Sequence, residues 1–140
     1  MDIGVNQNMS SKNERKKKVE IVSRILSSEG FEVTKDYKIG DRFYVDIVGT
    51  RGNQAVLVEV KPSGFKLDQS DLMQVSSYVS ALRRMRRFGN TNISGFIIAS
   101  GGTISLATPL ISELGIHVIK SDEEKEIERG IKRWMRATIL

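Results

Sequence analysis

The stretch from Phe43 to Lys61 restricts the fold more than any other. It reads FYVDIVGTRGNQAVLVEVK, two runs of β-branched and aromatic residues around the turn signal Gly49-Thr50-Arg51-Gly52-Asn53. Such a pattern predicts an antiparallel hairpin with strands over Phe43 to Val48 and Gln54 to Lys61. Pro62 ends the second strand because it has no N–H to give to a ladder. Side chains alternate faces along a strand. Leu57, Glu59 and Lys61 therefore share one face, with Val56, Val58 and Val60 on the other. Tyr44, Asp46 and Val48 share a face of the preceding strand. With Arg51 and Gly52 as the central turn residues, Asp46 stands opposite Leu57 and Tyr44 opposite Glu59. Asp46 and Glu59 are then diagonal neighbours on one face, roughly 7 Å apart at the backbone. A slip of one residue would send Glu59 to the other face.

The rest of the chain supplies helices to cover this hairpin. Val19, Val22, Ile25 and Leu26 recur at helical spacing and predict a helix from about Asn13 to Ser28, stopped by Gly30. Phe31 to Tyr37 alternates as a first strand. Leu72, Val75, Val79 and Leu82 mark a long helix from about Asp68 to Arg87. Ile93 to Ala99 is apolar on both faces and predicts a central strand. A helix over about Ser105 to Leu114, a short strand over Ile116 to Ile119 and a last helix over about Asp122 to Arg136 complete the order α-β-β-β-α-β-α-β-α. The fold expected is α/β, one mixed sheet with an antiparallel meander flanked by helices; later strands joined through helices run parallel to a neighbour. Residues 1–12, polar and aperiodic, read as a flexible arm, and residues 13–140 as a single domain.

Composition narrows the chemistry. The chain has 140 residues, 22 Lys and Arg against 17 Asp and Glu, one His, no Cys and a net charge of +5. Without cysteine there is no thiol nucleophile, disulfide framework or Cys-ligated metal, and one His excludes zinc sites built on several histidines. Carboxylates remain as metal ligands. No apolar run is long enough for a membrane span, and no secretory leader is expected, so a cytoplasmic protein without membrane contact is the default. The basic excess favours a polyanionic partner.

Two carboxylates converging on a half-buried hairpin repel each other unless a cation offsets them. Mg²⁺ prefers carboxylate oxygens, waters and phosphate. Lys61 beside the pair could polarise an attacking water and stabilise charge on a phosphate. These are the parts needed for metal-assisted phosphodiester hydrolysis. Glu-x-Lys alone is weak, since the chain also carries Glu14/Lys16 and Glu123/Lys125. Edge strands often bear Lys and Glu for solubility as well. Gln74 and Tyr78, four apart on the next helix, form the one Gln-x-x-x-Tyr of the chain and border its core seam.

Together these residues resemble the PD-(D/E)XK, or restriction-endonuclease-like, nuclease superfamily. The likeness runs through Glu20 on the first helix, Asp46, Glu59-Val60-Lys61 and the helix with Gln74, over roughly Glu14 to Lys120. Gln74-x-x-x-Tyr78 resembles the RecB-like branch; Arg86-Arg87-Phe88-Gly89 and the Asp-to-Glu interval look like archaeal Holliday junction resolvases. Val45 stands where the motif has Pro, and Glu14 competes with Glu20 as the helix acid. The resemblance implies Asp46, Glu59 and the Val60 carbonyl as ligands for Mg²⁺ or Mn²⁺, and Lys61 as the water-activating residue. It further implies Gln74, with Tyr78 and Glu20, as supporting catalytic residues. The activity implied is a metal-dependent DNA nuclease in repair, recombination or defence, on branched DNA or DNA ends. The alternative is a non-catalytic DNA-binding protein that keeps the fold.

Basic residues cluster where phosphates could be met. Lys16 and Lys17 belong to a run opening the first helix; Arg83, Arg84, Arg86 and Arg87 close the long one, and no acid occurs between Asp71 and Glu113. Ser63 and Lys66 follow the Glu-x-Lys strand and are either DNA contacts or helix-capping residues. The Arg quartet also suits a helix C-terminus. His117, in a short apolar strand, is expected to be structural. Ile127, Ile131 and Trp134 form either the inner face of the last helix or the face of a homodimer.

Overall fold

The hairpin forms as two strands, β2 (Phe43–Arg51) and β3 (Gln54–Val60), in the computed structural model, which describes residues 3–62, 64, 66–99, 111 and 114–139. Before it come α1 (Ile3–Ser28) and β1 (Glu32–Ile39). After it come α2 (Gln69–Arg84), a 3₁₀ turn (Arg86–Phe88), β4 (Asn92–Ala99), β5 (His117–Lys120) and α3 (Glu124–Ile139). One five-stranded sheet has the order β1-β2-β3-β4-β5. The first three strands are antiparallel, and β3, β4 and β5 are parallel. The single-domain mixed α/β sheet expected from the sequence is the one observed. The helix predicted over Ser105 to Leu114 lies largely outside the described residues.

Each face of the sheet is sealed by its own apolar layer. Leu72, Val75 and Leu82 of α2 pack with Ala55, Leu57 and Ile97 on one face. Val22, Ile25 and Leu26 of α1 and Ile127, Ile131 and Trp134 of α3 pack with Val56, Val58 and Ile98 on the other. Trp134 makes a T-shaped contact with Phe96 at 5.0 Å, so the last helix turns its aromatic side inward. Burial of this kind is the main favourable term in folding. Gly95 permits it on the α2 side: a Cβ there would lie 3.0 Å from methyls of Val75 and Val79.

Three departures from the sequence expectations have local causes. Helix α1 begins at Ile3, so the segment expected as a loose arm is helical from there; Asn and Ser cost only a few tenths of a kcal/mol each in a helix that is already nucleated. Helix α2 stops at Arg84 because Met85 turns extended, and the 3₁₀ turn after it drives Phe88 into the core.

The third departure concerns the hairpin. Arg51 pairs with Gln54, so Gly52 and Asn53 form the turn, with Gly52 at φ +60. Arg51 is held as a strand residue by its own guanidinium. It donates to the Glu29 carbonyl at 2.8 Å and to Gln54 Oε1 at 3.0 Å, and lies 4.6 Å from the Phe31 ring centroid. The register therefore differs by two residues from the expected one. Parity is kept, and the position opposite Asp46 is Glu59 itself rather than Leu57.

Candidate active site

Regular alternation breaks beside that rung. On β1, Val33 packs on the α1 side while Tyr37 and Ile39 pack on the α2 side; on β2, Ile47 and Val45 divide the same way. The switch falls between the paired rungs Lys35↔Ile47 and Tyr37↔Val45, where Asp36 and Asp46 stand across from each other. Asp36 sits there at φ +49, a conformation uncommon for a side-chain-bearing residue. The pair of strands rolls over at this point. Val45 takes the place on the α2 face that was expected for Tyr44, and Tyr44 is left exposed.

The roll turns Asp46 toward β3. Its Oδ2 accepts the Val60 N–H at 2.7 Å, and its own N–H donates to Glu59 Oε1 at 3.1 Å. Two side-chain-to-backbone bonds thus replace the next rung of the ladder, and two carboxylates fill the opening between the strands. Burial raises the Asp46 carboxyl above its ordinary value, against the Val60 N–H and the cations Arg15 and Lys61. Glu59 is pushed up to about 7, first by burial and then by the negative charge of Asp46. One member of such a pair is easily protonated near neutrality.

Cations and a phenol surround the pair. Arg15 of α1 places Nη1 3.4 Å from Asp46 Oδ1. Lys61, just past β3, holds its ammonium 3.6 Å from Asp71 Oδ1. Asp71 is fixed in turn by the start of α2. Its Oδ2 accepts the Asp68 N–H at 3.0 Å while Asp68 Oδ1 accepts the Asp71 N–H at 3.2 Å, a reciprocal cap. Tyr78 looks onto the site; burial and then the charges of Glu59 and Asp46 raise its phenol above the ordinary value, so it stays protonated. On the α1 side a groove of about 640 Å³ is lined by Arg15, Lys16, Lys17 and Glu20 and by Lys35, Asp36 and Asp46.

The other residues singled out from the sequence fall in different places. Glu20 lines that groove but pairs with Lys35 instead of joining the two acids. Glu14 is exposed one residue before Arg15. Gln74 is exposed on α2, and Asp71 of the same helix pairs with Lys61. Lys66 is exposed between β3 and α2, and Ser63 lies outside the described residues. Arg83 and Arg84 are exposed in the last turn of α2, and Arg86 and Arg87 in the 3₁₀ turn, Arg87 with its guanidinium 5.3 Å from the Phe88 ring centroid. His117 stacks on Phe96 at 4.9 Å, and partial desolvation lowers its imidazole below the ordinary value.

Three residues at the site have no catalytic role in the sequence reading, Arg15 and Lys18 standing there only in the basic run that opens the first helix. Lys18 is buried; its ammonium pairs with Asp122 and donates to the Lys61 carbonyl at 3.4 Å. It ties α1 and the start of α3 to the end of β3. Its signal in the sequence is its spacing, four before Val22 and seven before Ile25, on the buried stripe. Asp71 was legible as the second acid of Asp68-x-x-Asp71 before an apolar run. Arg15 lies in the basic run of the first helix, one turn before that stripe.

The donor set suits a hard divalent ion. Asp46 and Glu59 offer oxygens from adjacent strands, and both are disfavoured as bare anions by burial. Among the described residues there is no cluster of three acidic, His or Cys side chains. Such ions take one or two carboxylates and complete their shell with water and phosphate.

No family model matches the sequence, and no curated protein does. Solved structures share the fold. A repair endonuclease from Pyrococcus abyssi superposes with a TM-score of 0.57 at 24% identity, over 76% of this chain and 45% of its own. Can2 from Sulfobacillus thermosulfidooxidans, solved with cyclic tetra-adenylate, gives a TM-score of 0.62 at 13% identity, over 84% of this chain and 33% of its own. A protein from Vibrio cholerae gives 0.62 at 16% identity, over 84% and 32%. This chain thus spans less than half the length of each, and the likeness is one of fold.

Proposed function

We propose that this chain is a metal-dependent DNA nuclease of the PD-(D/E)XK type that hydrolyses phosphodiester bonds. The observation that carries the proposal is the broken rung between β2 and β3, where Asp46 and Glu59 face one opening with Lys61 beside them. The fold likeness to a repair endonuclease supports it. Asp46, Glu59 and the Val60 carbonyl would hold Mg²⁺ or Mn²⁺, which when bound stabilises charge on the phosphate and acidifies water. Lys61 Nζ orients the attacking water and stabilises the phosphate oxygens, with Asp71 fixing its direction. Arg15, half-exposed over Asp46, balances the acids and can turn to a phosphate. Lys16, Lys17 and Lys66, with the Arg quartet, supply salt-sensitive backbone contacts. Repair, recombination or defence on branched DNA or DNA ends, by a cytoplasmic monomer or homodimer, is the setting this activity fits.

The test is a panel of end-labelled single-stranded, duplex, flapped and four-way DNAs with Mg²⁺, Mn²⁺ or EDTA. Cleavage of at least one DNA with metal, lost in EDTA and in Glu59→Gln and Lys61→Ala, is the expected result. Binding without cleavage of any of them would overturn the nuclease proposal in favour of a binding protein.

A further inference from the structure

Almost all large apolar side chains among the described residues are covered. The exceptions are Phe43, Tyr44 and Met73, at 54%, 59% and 48% exposure. Two of the three open β2, with Val45 between them and Asp46. Phe43 is not isolated: its ring centroid lies 5.8 Å from that of Tyr78, the phenol that looks onto the two carboxylates. A cleft of about 430 Å³ adjoins it, between the β1–β2 turn and the last turn of α2. Ile39, Phe43, Ala81 and Met85 give the cleft apolar walls, and Arg42 and Arg84 line it with charge; Asp41 is its one acid. An exposed ring next to an apolar cleft edged by two guanidinium groups suits a ligand with a flat aromatic body and an anion attached to it.

A nucleotide has that chemistry, provided its base is unpaired. Bases inside a duplex are stacked on both sides and cannot present a face to Phe43, whereas a single strand can. Arginine edges match the phosphates on either side of such a base. We infer that this cleft takes an unpaired nucleotide, its base against Phe43 and its phosphates at Arg42 and Arg84. The nucleotide would enter the chain's DNA site three residues along β2 from Asp46. The inference rests on the nuclease proposal and deepens it: the substrate must offer single-stranded nucleotides beside the cleavage site, as a flap, a frayed end or a splayed branch does.

The test uses binding in EDTA, so it does not depend on cleavage. The full chain is titrated against a fluorescent dT20, the same length of abasic backbone, and a blunt duplex. Expected is tighter binding of dT20 than of the abasic strand, with Phe43→Ala weakening dT20 roughly tenfold and the other two less than twofold. Arg84→Ala should weaken all three and reduce their salt dependence. Phe43 is about half exposed, so its replacement should lower the urea midpoint only slightly, and that is checked alongside. Equal losses on all three probes with Phe43→Ala, no loss on any, or no measurable binding of dT20 would each overturn the inference. Retained preference for dT20 without metal-dependent cleavage would leave the subsite standing and remove the nuclease. Cleavage that persists while Phe43→Ala changes nothing would do the reverse.

Discussion

Replacing Glu59 by Gln removes one of two buried negative charges without altering shape. Gln keeps an Oε1 to accept the Asp46 N–H, and its amide can donate to the Asp46 carboxylate. In the folded chain the Glu59 carboxyl ionises at about 7 instead of 4.5, because burial and Asp46 oppose its charge. The sign follows from proton binding. Between pH 4.5 and 7 the folded chain keeps a proton that the unfolded chain has released. Stability therefore falls as pH rises through that window and is level above it. The full loss is about 3 kcal/mol, an upper figure because part of the side chain reaches solvent. That is a large share of a typical domain stability of roughly 5–15 kcal/mol. Asp46, also raised, contributes with the same sign, and His117, lowered by burial, with the opposite one. Comparing wild type with Glu59→Gln largely cancels His117, whereas Asp46 shifts with its partner. Urea unfolding in EDTA at pH 5 and pH 8 measures it: wild type should lose about 1–2 kcal/mol more than the variant between the two. Parallel pH profiles for the two proteins would refute a buried, repelling carboxylate pair.

Further outcomes follow from the same geometry. Millimolar Mg²⁺ should raise the melting temperature of wild type at pH 8 and leave Glu59→Gln unchanged, since a ligand stabilises only the state that binds it; calorimetry checks this. Lys18→Met should lower stability by about 1–3 kcal/mol in urea unfolding, at the modest end for a buried ion pair because Asp122 is half-exposed and can hydrate. Asp71→Asn should reduce the cleavage rate more than DNA binding, as it removes the ion pair that directs Lys61; single-turnover kinetics against binding separates the two. Gly95→Ala should cost about 1–3 kcal/mol, because the added methyl meets two β-branched valines 3.0 Å away on a rigid helix, read again by urea unfolding.

The elements of the fold were legible because the periodicity of their apolar residues is local. Val56, Val58 and Val60 alternate with Leu57 and Glu59, and that parity alone puts Glu59 on the α2 side whichever turn closes the hairpin. The two-residue error in the register survived for that reason, since both registers leave Asp46 and Glu59 within reach. Turn chemistry could not decide between them: Arg51-Gly52 and Gly52-Asn53 are both acceptable turn centres, and the choice is made by Glu29 and Phe31, which hold Arg51 from another part of the chain.

Alternation tells which face a residue takes only while a strand stays regular. The roll at Asp36 and Asp46 breaks it, and the φ of +49 at Asp36 leaves no mark in composition or spacing. The sequence by itself determined the order of the elements, the parity of Glu59 and Lys61 and the absence of ligand sets built on cysteine or several histidines. Tertiary structure alone decided that Asp46 turns across to the Val60 N–H, that Asp71 pairs with Lys61, and that Arg15 and Lys18 of α1 close on the site. Those contacts join residues from 10 to 104 positions apart. They depend on how two strands roll and a helix crosses them, which no local pattern encodes.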